Sequence, residues 1–188
     1  MDYDIANHRE KGRMEEEKEF RVTVRPYRRR DRDQVLELVK ELEAELAEKF
    51  QAVKIQSGIE DYRKRYLNPR TKYKTFVALA GKKVVGYLIG YPSLGAPEVD
   101  GMYDVLPLPR GTVPPEFYLQ ITFVSRPFRN RGISKLLHKH VIEYARQQGY
   151  REIYACIAKW NEPELRVIRS FKFREKDLGY RYRLSLKF

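Results

Sequence analysis

The stretch that most constrains the fold runs from Phe117 to Gln148. It holds a strand pattern, a short arginine-rich turn and a helix pattern in direct succession. Phe117–Val124 is an apolar, β-prone run. From Gly132 to Gln148 the apolar residues Ile133, Leu136, Leu137, Val141, Tyr144 and Ala145 recur at helical spacing and form one stripe. Between the two lies Ser125-Arg126-Pro127-Phe128-Arg129-Asn130-Arg131-Gly132. Gly132 lets the backbone turn tightly without a Cβ clash. The first N–H groups of a helix have no partner inside it and carry partial positive charge. The turn into this helix is therefore a site for an anion, phosphate above all. Arg126, Arg129 and Arg131 add fixed positive charge beside it.

Composition bounds what else the chain can be. At 188 residues and 42% hydrophobic it is long enough and apolar enough for one ordinary domain with a real core. Residues 1–19 are charged and read as a mobile tail, leaving 20–188 as one domain. The start of the chain has no apolar segment of the secretory kind, and the apolar runs fall far short of a membrane span. One cysteine rules out an internal disulfide framework or a multi-cysteine zinc site, and no metal site is expected. These features fit the cytoplasm. The net charge is +12 and uneven: residues 125–188 carry 16 Lys/Arg against 6 Asp/Glu, and residues 1–124 carry 22 against 20. The basic excess lies in the half that holds the anion turn. A polyphosphate ligand explains part of it. A nucleic-acid-binding module is the other reading, but no RNP-like, helix-turn-helix or zinc pattern supports it.

Taken in order, Phe20, Val22 and Val24 alternate with polar residues and predict a strand that Pro26 ends. Asp31 or Asp33 is placed to cap a helix whose Val35, Leu38, Val39, Leu42 and Leu46 share a face. Residues 57–68 predict a second helix, with Ser57 as its cap and Asn68-Pro69 as its stop. Tyr73–Ala80 and Lys83–Tyr91 predict a hairpin. Residues 92–116 are rich in Pro and Gly and read as a long functional loop, with Glu98, Asp100 and Asp104 suited to a cationic acceptor. Gly149 is placed to end the helix after the anion turn. Glu152–Ala158 predicts a strand, Asn161–Phe171 a short helix, and Phe173–Glu175 with Tyr180–Phe188 one or two more strands.

The turn is similar to the acetyl-coenzyme A loop of the GNAT N-acetyltransferases. In that pattern a strand-ending valine is followed, after four residues, by Arg/Gln-x-x-Gly-x-Gly/Ala. Here it reads Val124, then Arg129-Asn130-Arg131-Gly132-Ile133-Ser134, with Ser134 in place of the small residue. The predicted order β-α-α-β-β-β-α-β-α-β(-β) resembles the same family across residues 20–188. The resemblance implies an α/β (α+β) fold with a mixed, mostly antiparallel central sheet flanked by helices. It also implies that the sheet is splayed between its central strands, with the thioester in the gap. Thr122, Phe123 and Val124, the loop residues Arg129, Asn130, Arg131, Gly132, Ile133, Ser134 and Lys135, and Asn161 would then bind acetyl-CoA. The acceptor would be an amine on a small molecule or a protein. The sequence leaves the oligomeric state open, a dimer included.

A second patch, from Asn161 to Phe173, tracks the family pattern Asn…Tyr…Gly-Phe at matching spacing. Asn161 and Phe173 match, whereas Lys172 replaces the glycine and Ile168 replaces the tyrosine that many members use as general acid. Tyr154, Tyr180 and Tyr182 are the substitutes in reach of such a role. Many relatives carry a glutamate base on the central strand. Strict alternation puts Tyr118, Gln120 and Thr122 on one face here, with Glu116 just before them. Tyr118 and Gln120, acting through water, and Glu116 are the catalytic candidates. The missing tyrosine also raises a second reading, a catalytically silent acyl-CoA-binding or regulatory domain.

Overall fold

The computed structural model describes residues 21–50, 58–93 and 115–188. The expected tail at 1–19, Ser57 and the body of the expected loop 92–116 lie outside the described residues. At the edges of that loop, Pro92 and Ser93 close a strand and Glu116 opens the next. The elements are β1 (Val22–Pro26), α1 (Arg32–Phe50), α2 (Ile59–Asp61, continued by a π-turn at Tyr62–Tyr66), β2 (Lys74–Ala80), β3 (Lys83–Ser93) and β4 (Glu116–Val124). They continue as α3 (Ile133–Gln147), β5 (Glu152–Ala158), α4 (Glu162–Arg169), β6 (Arg174–Asp177) and β7 (Arg181–Lys187).

The seven strands form one sheet in the order β1-β2-β3-β4-β5-β7-β6. Every neighbouring pair is antiparallel except β4 and β5. Parallel neighbours need a crossover, and α3 provides it. The apolar stripe of α3, with Ile133, Leu137, Val141 and Ala145 buried, packs with α4 on one face of the sheet. On the other face Val35, Leu38 and Val39 of α1 meet Tyr62, Tyr66 and Leu67 of α2 over Val77, Tyr87 and Ile89. The sheet thus separates two cores, and each helix pair covers one of them.

Local chemistry explains the ends. A 3₁₀ turn, Arg29–Asp31, leads into α1. Asp31 does not cap α1 as a first residue. It reaches back to accept the Arg28 N–H at 2.7 Å, and the Arg25 guanidinium clamps both its oxygens at 2.7 and 2.8 Å. That guanidinium holds the Asp31 carboxyl below its usual range. Gly149, at φ +80°, ends α3. The Tyr150 N–H returns to the Ala145 carbonyl and the Gly149 N–H to Arg146, a Schellman closure. Lys172 takes the left-handed conformation, φ +61°, at the position where the resemblance expects glycine.

Candidate functional site: a gap between the central strands

The site begins with one extra residue. Along the β3–β4 ladder Ile89 pairs with Ile121, but Gly90 pairs with Leu119, so Gln120 is a β-bulge. A bulge bends its strand and strengthens the local twist. β4 pairs with β5 only from Glu116–Glu152 to Leu119–Ala155, and the pairing stops at the residue before the bulge. Beyond it, residues 120–124 and 156–158 separate. This is the splay that the resemblance implied.

The bulge also changes which side chains share a face. Gln120 donates from Nε2 to the Tyr66 hydroxyl at 3.1 Å, on the α1/α2 face, where Tyr118 also lies. Thr122 has switched to the other face, where its hydroxyl lies 3.5 Å from Nε2 of His138 on α3. Strict alternation had put Tyr118, Gln120 and Thr122 in one row; the inserted residue breaks that row. The main chain follows suit. The Ser125 N–H donates to the Val85 carbonyl at 3.0 Å. Bonding alternates along an antiparallel ladder, so Phe123 also turns its N–H and C=O to β3. Thr122 and Val124 turn theirs to the gap. Phe123 is therefore a core residue, 5% exposed, with its ring tilted against that of Tyr87 at 6.0 Å, and its side chain is not a wall of the gap.

At the open end of the gap stands the turn. Asn130 and Gly132 both adopt left-handed backbone, φ +61° and +74°. The first backbone bond at the start of α3 is from Leu136 N–H to Gly132 O. Among the described residues, the N–H groups of Gly132, Ile133, Ser134 and Lys135 have no hydrogen-bond partner. Nothing lies within 4 Å of the place where a Gly132 Cβ would point. Four convergent donors, a helix dipole and open space make an anion cradle. Ile133 contributes its N–H alone, since its side chain is 2% exposed in the core.

Two of the turn arginines do other work. The Arg129 Nε–H donates to the Val124 carbonyl at 2.8 Å, and its Nη2 bonds both Glu45 oxygens at 2.7 and 2.8 Å. The Arg126 N–H donates to Glu41 at 2.7 Å, and its guanidinium lies 3.7 Å from Glu48. Glu41, Glu45 and Glu48 fall on one stripe of α1, so these contacts pin α1 to the rim of the gap. The expected fixed charge of Arg129 is offset by Glu45.

The remaining candidates are spread out. Glu116 begins β4 at the closed end of the gap, where Arg183 bonds it at 3.3 Å and Glu152 at 3.4 Å. The bulge is four residues further on, about 13 Å along the strand, so Glu116 does not reach the gap. Tyr118 packs between Tyr91 and Tyr154, with ring centroids 5.2 and 4.9 Å away. Burial pushes its hydroxyl well above the usual phenol range, so it holds its proton and is no base near neutral pH. Asn161 stands at the N-cap of α4, yet its side chain makes no capping bond. Ile168 is fully buried in the α3/α4 core. The hydroxyl of Tyr154 is bonded to Ser93 at 2.8 Å, Tyr182 lies under Lys159 and Arg169, and Tyr180 is 64% exposed.

One functional neighbour escaped sequence reasoning. His138 is 0% exposed. Its Nδ1 faces the Ser134 carbonyl at 2.9 Å, and its Nε2 lies 3.1 Å from a Glu164 oxygen. A carbonyl can only accept, so Nδ1 carries the hydrogen of that contact. The pair fastens α4 to the helix that bears the cradle. The sequence gives no signal of it, because Glu164 belongs to another helix. A cavity of about 430 Å³ lies at the start of α1, lined by Arg29, Arg32, Arg63, Asn68, Pro69 and Arg70.

The fold is similar to that of solved structures. The GNAT domain of PAT from S. lividans superposes with a TM-score of 0.69, at 15% identity over 89% of this chain and 90% of that one. The PaiA N-acetyltransferase of Thermoplasma acidophilum, solved with coenzyme A, gives 0.65 at 13% identity over 89% and 99%. An aminoglycoside acetyltransferase from an uncultured soil metagenomic sample gives 0.60 at 20% identity over 85% and 93%. No curated protein sequence matches the chain. The profile of the acetyltransferase (GNAT) family matches residues 37–173, from α1 through the turn and the gap to Phe173. The chain belongs to the acetyltransferase (GNAT) family.

Proposed function

We propose that the protein transfers an acetyl group from acetyl-coenzyme A to the nitrogen of an amine, carried by a small molecule or a protein. The observation that carries this reading is the run of unpartnered N–H groups from Gly132 to Lys135, set at the open end of a gap between β4 and β5. The chemistry of these donors suits a pyrophosphate. Asn130 and Gly132 shape the turn, and the N–H groups of Gly132–Lys135 bind the phosphates. The uncommitted Asn161 amide and the gap-facing backbone of Thr122 and Val124 suit the amide-bearing pantetheine arm. Bound there, acetyl-coenzyme A supplies a thioester-activated acetyl group and a thiol of ordinary pKa near ~8.5. The Val124 N–H points into the gap as a fixed donor for a carbonyl oxygen that gains negative charge. Its own carbonyl, tied to Arg129, keeps that peptide in orientation. The acceptor approaches from the α1/α2 face, the face to which the Gln120 amide turns where β4 leaves β5.

Titration calorimetry with coenzyme A, followed by a free-thiol assay with acetyl-CoA and a panel of amines, tests the reading. We expect binding, and thiol release that depends on an amine. Binding without turnover of any amine would leave the silent acyl-CoA-binding domain as the function. No helix among the described residues is long and apolar enough to cross a membrane.

A further inference from the structure

The two faces of the sheet communicate through the gap, and Gln120 stands at its apex on the acceptor face. Nε2 of Gln120 is anchored on the Tyr66 hydroxyl at 3.1 Å. Oε1 is buried and has no hydrogen-bond partner among the described residues. A buried carbonyl oxygen without a donor is a costly arrangement. Such an atom is retained where something else supplies the donor. The bulge makes this placement, since it turns Gln120 toward Tyr66 at the residue where β4 leaves β5.

We infer that Gln120 receives the acceptor amine: Oε1 accepts one N–H of the entering amino group and so aims the nitrogen at the gap. The inference rests on the amine-transfer reading above. A neutral amine offers N–H donors and one lone pair in separate directions. When one N–H is held by Oε1, the lone pair is left for the gap. The Tyr66 anchor fixes which end of the amide faces the amine. Tyr118, two residues earlier on the same strand, packs in the same cluster as Tyr66. Tyr91 meets the Tyr118 ring edge to face and Tyr154 lies tilted against it, so the strand is held firmly next to Gln120. The group received is therefore an amine that still carries an N–H for Oε1. Gln120 is a positioning residue for this reaction.

The test uses the full chain with coenzyme A bound and three probe amines: tyramine, spermidine and a peptide with a free N-terminal alanine. The side-chain amide signals of Gln120 are assigned in an NMR spectrum by their loss in Gln120→Leu. We expect them to shift as at least one amine is added. For an amine that is acetylated, Gln120→Leu should lower kcat/KM by about tenfold or more, chiefly through KM, with coenzyme A affinity unchanged. Gln120→Glu keeps an acceptor oxygen and should recover part of the loss. If amines are acetylated and Gln120→Leu stays within twofold of wild type, the inference is overturned and the transfer reading stands. If the amide signals shift but no amine is acetylated, the amine seat stands and transfer falls. If no amine is acetylated and no signal moves, both fall.

Discussion

Gly132 carries the most weight of any single residue. Its φ of +74° and the empty space above it suit glycine and an approaching phosphate alike. In Gly132→Glu a side chain enters the cradle with a negative charge, and the left-handed backbone strains by roughly 1–2 kcal/mol. We expect coenzyme A binding to weaken by at least ~2 kcal/mol, about 30-fold in Kd by calorimetry. Wild-type affinity in that variant would remove the cradle assignment. Ile168 is a contrasting case. As the substitute for a family tyrosine it invites Ile168→Tyr as a way to restore an acid. The residue is fully buried in the α3/α4 core, so the larger ring must displace packed neighbours. We expect Ile168→Tyr to cost about 1–3 kcal/mol of stability without raising kcat. A rise in kcat at unchanged Tm would show that the ring reaches the gap and that the chain works without an acid.

At the scale of elements, the sequence shows its strands and helices wherever one face is apolar. The α3 stripe, the β2–β3 hairpin and the arginine-rich turn were readable for that reason. The glycine turn into α3 was readable too, because a glycine at a strand–helix junction is a local feature. The bulge was not, since alternation along β4 gives no sign of an inserted residue. Its position is set by β3, where a Cβ on Gly90 would lie 2.4 Å from the Phe117 ring and 2.7 Å from the Tyr118 carbonyl. Glu41 and Glu45 are likewise unreadable as partners of Arg126 and Arg129, because they lie 85 and 84 positions away in the chain. The same holds for His138 and Glu164. Gly90→Ala tests the bulge. The methyl group meets backbone and a packed ring, so we expect a loss of about 1–3 kcal/mol. That should appear as a fall in Tm of roughly 2–4 °C per kcal/mol. Coenzyme A affinity should fall with it, since the bulge opens the gap. A drop in Tm with full affinity would mean that the gap does not depend on the bulge.

At the scale of the molecule, two half-sheets, β1–β4 and β5–β7–β6, meet along four residue pairs. Arg183 braces their closed end and α1 braces the rim. A ligand lying in the gap and bound to both halves should stabilise the whole fold. At a concentration 100 times its Kd, coenzyme A should add ~2.7 kcal/mol. For a chain of this size that raises Tm by roughly 5–10 °C. The basic excess in residues 125–188 makes the competing expectation concrete, because a nucleic-acid module would be stabilised by a duplex instead. At near-physiological salt a short DNA duplex should leave Tm within about 1 °C, on the view that binding by charge alone is weak there. Gly132→Glu should erase most of the coenzyme A shift. A duplex that raises Tm as much as coenzyme A, in wild type and in Gly132→Glu alike, would transfer the basic face from the cofactor to nucleic acid.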